Sequence, residues 1–301
     1  MASPQLDAII QMIRSLPVRE DGTIEETRQA FEMIATMFPV AADIKREPAS
    51  ANGVPGEWIT APNSTDAATI FYLHGGGYTI GSVNTHADMV SRICRASGAR
   101  AFSLNYRLAP ENPFPAAVED ATKAYRWLLG QGIRPESIII SGDSAGGGLS
   151  LATLLSLKAA GDPLPGAAVL LSPWTDLLGT GDSLKTRAAA DPMIKPDQII
   201  QGATQYHGNT PAGDPLVSPL YGDFHGLPPM LIQVGDAEVL LDDSTRLAER
   251  AKAAGVDVTL EIFDEMIHVF QIFAPTLPEG QKAIDKIGEW VKQHVSAGAT
   301  A

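Results

Sequence analysis

The chain has 301 residues, of which 45% are hydrophobic and 19% are charged. This length and composition predict a globular protein with a large core and exclude a disordered chain. The formal net charge of −13 argues against binding to nucleic acids or to anionic membrane surfaces. A single cysteine, Cys94, excludes an intramolecular disulfide, and its helical spacing from Val90 predicts a place in the core.

Two amphipathic helical patterns occupy the first part of the chain. Apolar residues recur at helical spacing at Leu6, Ile9, Ile10 and Ile13, and again at Phe31, Ile34 and Phe38. Polar residues interrupt the first pattern and no basic segment precedes it, so we expect no signal peptide and a cytoplasmic location. No apolar stretch reaches the length of a membrane span.

Strand and helix patterns alternate along the rest of the chain. The strands are predicted near residues 55–60, 68–73, 100–105, 137–142, 167–172, 229–235 and 256–263, and a helix is predicted at 280–294. Such alternation is typical of a mainly parallel sheet with helices on both faces. The long gap between the strands predicted at 167–172 and 229–235, from Asp176 to Leu227, must hold helices such as Asp197–His207, because a structureless loop of that length is rare.

Three consecutive glycines follow the predicted strand that ends at Leu73. The segment His74-Gly75-Gly76-Gly77 leaves backbone N–H groups uncovered at the strand end. Such donors can hold the negative oxygen that forms when an ester carbonyl is attacked. We therefore expect the N–H groups of Gly76 and Gly77 to form part of an oxyanion hole, and His74 to orient the loop rather than to act as a base.

The segment Gly142-Asp143-Ser144-Ala145-Gly146 joins a predicted strand to a predicted helix. This is the context of a nucleophile elbow, a tight turn that exposes a serine hydroxyl at the tip of a strand. A side chain at either flanking glycine would collide with nearby backbone. We predict that Ser144 is a nucleophile and that the N–H of Ala145 joins the oxyanion hole.

A serine nucleophile requires a histidine base oriented by a carboxylate, and in this arrangement the chain order is serine, acid, histidine. The histidines that follow the serine are His207, His225, His268 and His294. Of these, His268 comes directly after the last predicted strand, so we predict that it is the base. The acid must follow the strand at 229–235, where the residues alone leave several carboxylates open.

Those carboxylates are Asp236, Glu238, Asp242 and Asp243. Asp242 and Asp243 also suit the N-terminus of the next helix, where carboxylates interact with free N–H groups. The histidines lack metal-ligand spacing, and no dinucleotide-binding glycine motif follows a strand, so we expect no metal and no cofactor.

Five segments occur in an order and at separations that carry a family resemblance: His74–Gly77, Tyr106–Glu111, Pro113–Ala117, Asp120 and Gly142–Gly146. The chain resembles the hormone-sensitive-lipase family of carboxylesterases, the bacterial family IV branch of the α/β-hydrolase fold, over roughly residues 55–296. Asn105 and Asn112 depart from the family pattern, in a segment that we expect to be structural.

The resemblance implies an acid-x-Leu-x-Asp pattern, which residues 238–242 match. Glu238 then stands where the family more often has Asp, and Glu is an accepted acid in such triads. Glu238 is therefore the predicted acid, and Asp236 and Asp242 are the alternatives.

The resemblance also implies the architecture. We expect an α/β-hydrolase fold with a mostly parallel eight-stranded sheet in residues 46–181 and 223–301, and a helical cap formed by residues 1–45 and 182–222. The two N-terminal apolar faces are expected to pack against the second cap segment. Because several relatives pair through the last strand of the sheet, we expect a homodimer.

These residues together predict a serine carboxylesterase that acts on small acyl esters through an acyl-enzyme intermediate. The resemblance implies esters of short to medium chain length. An amidase or peptidase with the same triad is the first alternative, since the triad does not distinguish amides from esters. The second alternative is a ligand-binding protein on a hydrolase scaffold. It is disfavoured because Ser144 and His268 are both present.

Overall fold

An eight-stranded sheet forms the centre of the molecule in the computed structural model, which describes residues 3–15 and 22–298, except for the side chains of 34, 35 and 295–298. The strands are β1 Lys45–Ala51, β2 Val54–Thr60, β3 Thr65–Leu73, β4 Ala99–Leu104, β5 Ile138–Asp143, β6 Ala167–Leu171, β7 Met230–Gly235 and β8 Val258–Phe263. Their order is β1-β2-β4-β3-β5-β6-β7-β8. The pairs β1–β2 and β2–β4 are antiparallel and the others are parallel, so the predicted mostly parallel sheet is confirmed.

Helices cover both faces of this sheet. Their bounds are α1 Pro4–Ser15, α2 Ile24–Ala35, α3 Val83–Ser97, α4 Ala116–Gly130, α5 Ala145–Ala160, α6 Ser183–Thr186, α7 Pro196–His207, α8 Leu241–Ala253 and α9 Pro278–Gly298. One apolar core joins the sheet to α3 and α9, and a second joins it to α4, α5 and α8.

The central strands are apolar along their whole length because both faces are covered. In β5, Ile139 faces the core that contains α3 and α9, whereas Ile138 and Ile140 face the other core. Strands β5, β6 and β7 are buried at every residue. This double burial explains why these strands read as continuous apolar runs, and it leaves their carboxyl ends as the edge where loops can build a site.

The apolar patterns of the sequence do not predict strand β1. It forms a hairpin with β2 through Asn52 and Gly53, which both have positive φ, at 52° and 93°. Only β2 pairs with β1 among the described residues, and the outer strand carries polar residues and Pro48. A polar edge strand shows no apolar alternation, but the Asn-Gly pair is a strong hairpin signal that could have revealed it.

Helix α1 packs mostly against residues 263–283 and α2 packs against α3, so the expectation that the N-terminal apolar faces bury against residues 182–222 is wrong in the main. Leu6 and Ile9 of α1 lie in a cluster with Phe270 and Phe273, and Met193 is the contact from the predicted cap segment. The side chain of Ile34 lies outside the described residues. Across the described residues, no helix is both long and apolar enough to cross a bilayer.

Candidate active site

Ser144 stands in a sharp turn between β5 and α5. Its backbone has φ 51° and ψ −122°, an uncommon conformation for a residue with a side chain. The Ser144 N–H donates to the Leu171 carbonyl at 2.8 Å, and the Ser144 carbonyl accepts from the Trp174 N–H at 2.9 Å. The neighbouring strand and the loop after it therefore hold the strained turn in place.

The two flanking glycines permit this turn. A Cβ atom at Gly142 would approach the Leu73 carbonyl oxygen at 2.6 Å and would also collide with Gly146 backbone. A Cβ atom at Gly146 would collide with the carbonyl oxygens of Leu73 and His74. The elbow thus packs directly against the end of β3, where the glycine loop begins.

The glycine loop presents free donors to the same region. Gly76 has φ 111°, which strongly favours glycine, and its carbonyl accepts from the N–H groups of Thr79 and Ile80. Within the part of the chain that the structure describes, the N–H groups of Gly76, Gly77 and Ala145 have no hydrogen-bond partner. Unpaired N–H groups at such a position are available to an anionic oxygen.

His268 and Glu238 form a buried hydrogen-bonded pair. His268 Nδ1 lies 3.1 Å from Glu238 Oε1, and the two residues are 3% and 0% exposed. The other carboxylate oxygen, Oε2, accepts from the Ser172 hydroxyl at 2.7 Å and from the Gly235 N–H at 3.1 Å. Because an ionised carboxylate only accepts, Nδ1 carries a proton in this pair and Nε2 is the nitrogen left for a reacting group.

The environment of His268 makes it a stronger base than a free histidine. Burial lowers the pKa of His268, but the charge of Glu238 and the hydrogen bond to it outweigh burial, so the pKa is raised. A base with a raised pKa holds a transferred proton more firmly.

The other predicted carboxylates have different partners. Asp236 Oδ1 accepts from the Glu265 N–H at 2.7 Å, and Asp242 Oδ2 accepts from the Ser183 N–H at 2.9 Å. Asp243 accepts from two N–H groups in the loop after β6, and burial raises its pKa to about 7. Of the four carboxylates considered, Glu238 is the one in contact with His268.

The other histidines that follow the elbow have partners outside the His268–Glu238 pair or none among the described residues. His225 is exposed and contacts Asp223, and His294 stacks on Trp290. His207 ends α7 and its Nδ1 has no hydrogen-bond partner among the described residues. His74, which precedes the elbow, stacks on a tyrosine ring at 4.3 Å, and burial lowers its pKa to about 3.

A cavity of about 510 Å³ lies between the glycine loop, the elbow and His268. Ser144, His268, Gly76 and Gly77 all line it. No hydrogen bond joins Ser144 to His268 across it, and such contacts between nucleophile and base often tighten only when substrate binds.

Helix α2 contributes Thr27 and Phe31 to the wall of the cavity, and α7 contributes Gln198, Ile199, Gln201, Gly202 and Gln205. Among the described residues there is no cluster of metal-ligating side chains.

The Ser172 hydroxyl contacts the His268–Glu238 pair, and the sequence does not predict this role. Ser172, which follows β6, donates to Glu238 and accepts from the Val269 N–H at 3.1 Å, so it joins the acid to the residue after His268. Its φ of 44° is an uncommon value. Three separate segments meet at this one side chain, and no local pattern marks such a meeting point.

Comparisons with known proteins agree with the fold and the motifs. The family model described as the α/β hydrolase fold matches residues 70–272. Over 298 residues the chain is 41% identical to an acetyl-hydrolase of Streptomyces hygroscopicus, with 99% of each chain covered. It is 38% identical over 264 residues to an esterase of Acinetobacter venetianus, with 87% of each covered.

Solved structures give the same result. A crystal structure of an esterase from the bacterial hormone-sensitive lipase family matches with a TM-score of 0.95 and 50% sequence identity, covering 98% of this chain and 99% of that chain. These matches confirm the resemblance that the sequence motifs carry. The chain therefore belongs to the α/β-hydrolase superfamily and, within it, to the bacterial hormone-sensitive-lipase family.

Proposed function

We propose that the protein is a serine carboxylesterase with Ser144, His268 and Glu238 as its catalytic triad. One observation carries this proposal: the buried His268–Glu238 pair shares a cavity with Ser144 and with the free N–H groups of the glycine loop. Relatives named esterase and acetyl-hydrolase support the ester as the bond that is cleaved.

The reaction follows from the roles of these groups. His268 Nε2 takes the hydroxyl proton of Ser144 while Oγ attacks the ester carbonyl carbon. The N–H groups of Gly76, Gly77 and Ala145 hold the resulting oxyanion, and one such donor typically contributes about 10²–10³ in rate.

Collapse of this intermediate breaks the bond to the alcohol oxygen, which receives the proton from His268, and leaves an ester of Ser144. A water molecule then gives its proton to His268 and attacks that ester, which releases the acid and regenerates the serine. Glu238 stays ionised throughout and stabilises the imidazolium.

The walls of the cavity support small substrates. Helices α2 and α7 line one side of it. This lining supports the proposal that residues 1–45 and 182–222 form a cap over a catalytic domain of residues 46–181 and 223–301. The family resemblance implies acyl chains of about two to eight carbons, and a pocket walled on one side favours such chains over emulsified triglycerides. The protein acts in the cytoplasm, in keeping with a chain that has one cysteine, and this cysteine is buried.

Rates on matched substrates test this function. We expect hydrolysis of p-nitrophenyl acetate, butyrate and octanoate, and a steep fall in kcat/KM at the palmitate. The p-nitroanilides of the same acids serve as the matched amides and should react at least about 10²-fold more slowly. Anilide rates equal to the ester rates would support the amidase alternative, and inactivity on every ester would refute the proposal.

A further inference from the structure

A buried ionic network lies directly behind the glycine loop. His86, near the start of α3, is 2% exposed, and Asp143, the residue before Ser144, is 3% exposed. His86 Nε2 lies 3.2 Å from Asp143 Oδ2. The mechanism proposed above uses neither side chain, although both border the cavity that holds Ser144.

Asp143 links the elbow to the glycine loop. Its Oδ1 accepts from the Gly75 N–H at 3.0 Å and from the Tyr72 hydroxyl at 2.6 Å. A Cβ atom at Gly75 would collide with the Asp143 carboxylate, so the loop backbone lies flat against it. The position of the next residues, Gly76 and Gly77, therefore depends on a carboxylate adjacent to the nucleophile.

The Asp143 carboxylate accepts from the Gly75 N–H and the Tyr72 hydroxyl and also contacts His86 Nε2, an arrangement that favours its ionised form. Burial raises the pKa of Asp143, but the charge of His86 and the hydrogen bonds from His86 and Tyr72 outweigh burial and lower the pKa. An unpaired buried carboxylate is strongly unfavourable, because the lost hydration is not replaced. His86 supplies the cationic partner that permits the charge.

The other side of the His86 ring is fixed by the start of its own helix. Nδ1 lies 2.7 Å from the Thr85 hydroxyl and 3.4 Å from the Ser82 carbonyl. The Thr85 hydroxyl already donates to the Ser82 carbonyl at 2.9 Å, so it accepts from Nδ1. With a proton on Nδ1, Nε2 also donates to Asp143 when the ring is protonated. The capping box of Ser82 and Thr85 therefore aims the ring at the carboxylate.

The groups that face His86 come from several elements. The rings of His74 and Tyr72 lie 5.6 Å and 6.4 Å from its ring, and Phe31 of α2 packs its edge at 6.2 Å. Glu32 of α2 adds a favourable charge. Burial lowers the pKa of His86, but the charge of Asp143 and the hydrogen bond to it outweigh burial, so the pKa is raised and the protonated ring is favoured.

We propose that His86 is a positioning residue for ester hydrolysis: by holding the Asp143 carboxylate, it fixes the glycine loop so that the Gly76 and Gly77 N–H groups meet the oxyanion. This inference rests on the proposed function of Ser144. It predicts that His86 affects the transition state more than the bound substrate, because the oxyanion forms only after attack.

Kinetics of His86→Ala and His86→Gln test this role. We expect His86→Ala to lower kcat for p-nitrophenyl butyrate at least about 30-fold while KM changes less than about threefold. His86→Gln keeps an amide donor near the position of Nε2 and should recover part of this loss. His225→Gln is the matched control, because His225 forms an exposed pair with Asp223, in which Nδ1 lies 2.6 Å from Oδ1. This variant also loses an imidazole that contacts a carboxylate, and it should retain wild-type rates.

A trifluoromethyl ketone provides the readout that separates positioning from mere stability. Attack by Ser144 converts it to an oxyanion adduct, so its inhibition constant should rise in His86→Ala by about the same factor as kcat/KM falls. Equal inhibition of wild type and folded His86→Ala, or a kcat within about threefold of wild type, would overturn the proposal.

Two further variants keep the test decisive. If His86→Ala does not fold, His86→Gln and Tyr72→Phe, which removes one donor to Asp143, carry the same comparison of kcat with ketone affinity. Unchanged ketone affinity in both folded variants would then refute the role of His86. Full activity of Ser144→Ala would instead refute the proposed function itself, so the two failures are distinguishable.

Discussion

The Glu238 carboxylate controls the proton affinity of His268. Glu238→Gln keeps the size of the side chain but removes the charge that raises the pKa of His268. We predict a fall of at least about 10² in kcat, by comparison with the about 10⁴ for an Asp-to-Asn change in a comparable triad. His268 accepts a proton only when neutral, so wild-type kcat/KM falls as the pH drops through this raised pKa.

The pH dependence of kcat/KM shows in which direction Glu238→Gln shifts the pKa of His268. Without the charge of Glu238, burial dominates and lowers the pKa of His268. The acidic limb of kcat/KM should therefore move to lower pH in Glu238→Gln. Asp236→Asn and Asp242→Asn are the controls, because their carboxylates bind other backbone groups. Larger losses in either control than in Glu238→Gln would assign the acid to that residue.

The Ser172 hydroxyl should contribute to both stability and rate. Ser172→Ala removes the donor to Glu238 and the acceptor for the Val269 N–H. Since hydrogen bonds to charged groups contribute about 1.5–3 kcal/mol, we expect urea denaturation to show a loss in that range. Turnover should fall about 3- to 10-fold because the acid loses an orienting contact. An unchanged midpoint and unchanged kcat would show that the hydroxyl does not hold the pair.

Single residues differ in how well the sequence reveals them. Ser144 and the three glycines belong to contiguous motifs, because one turn and one loop impose local constraints on residue type. Glu238 needed a family pattern, since four carboxylates follow the same strand. Ser172 and His86 reach the site from other strands and helices, and their roles depend on packing that no short segment encodes.

Helix α1 stabilises the segment that carries the proposed base. Leu6 is fully buried among Phe270, Phe273 and Leu277, which follow His268 in the chain. Leu6→Ala should destabilise the protein by about 2–5 kcal/mol, the usual range for a buried leucine truncated to alanine. Met33→Ala in α2 is the control, because Met33 is 71% exposed, and it should change stability by no more than about 0.5 kcal/mol. Equal urea midpoints for the two variants would contradict this packing.

The prediction of elements succeeded where apolar periodicity is strong. Strands β5 and β7 lie within one residue of their predicted positions, and α7 begins one residue before the predicted start at Asp197. The predicted packing partner of α1 was wrong, because an apolar face shows that a helix is buried but does not show which segment covers it. Contacts between distant segments depend on the path of the whole chain.

The described sheet has two edge strands, the polar β1 and β8, and β8 carries an exposed apolar side chain. Strand β8 pairs with β7 on one side, and within the described residues no strand pairs with its other side. Ile262 of this strand is 49% exposed. Because uncovered edges tend to be paired, we predict a homodimer that joins the two sheets through β8.

Light scattering at micromolar protein tests this assembly. We expect a mass of twice the 31.8 kDa of one chain. Ile262→Lys places a charge on the exposed edge and should shift the mass toward the monomer. A wild-type mass of 31.8 kDa would refute the dimer without affecting the proposed chemistry.

Turnover of p-nitrophenyl butyrate by Ser144→Ala tests the central claim most directly. The variant should fold normally, since Gly142 and Gly146 rather than the serine side chain permit the elbow. We predict that kcat falls by about 10⁴–10⁶, the range expected when a triad serine is lost. Circular dichroism confirms the fold of the variant before its rate is read. A folded Ser144→Ala that retains more than about a tenth of wild-type turnover would contradict the assignment of Ser144 as the nucleophile.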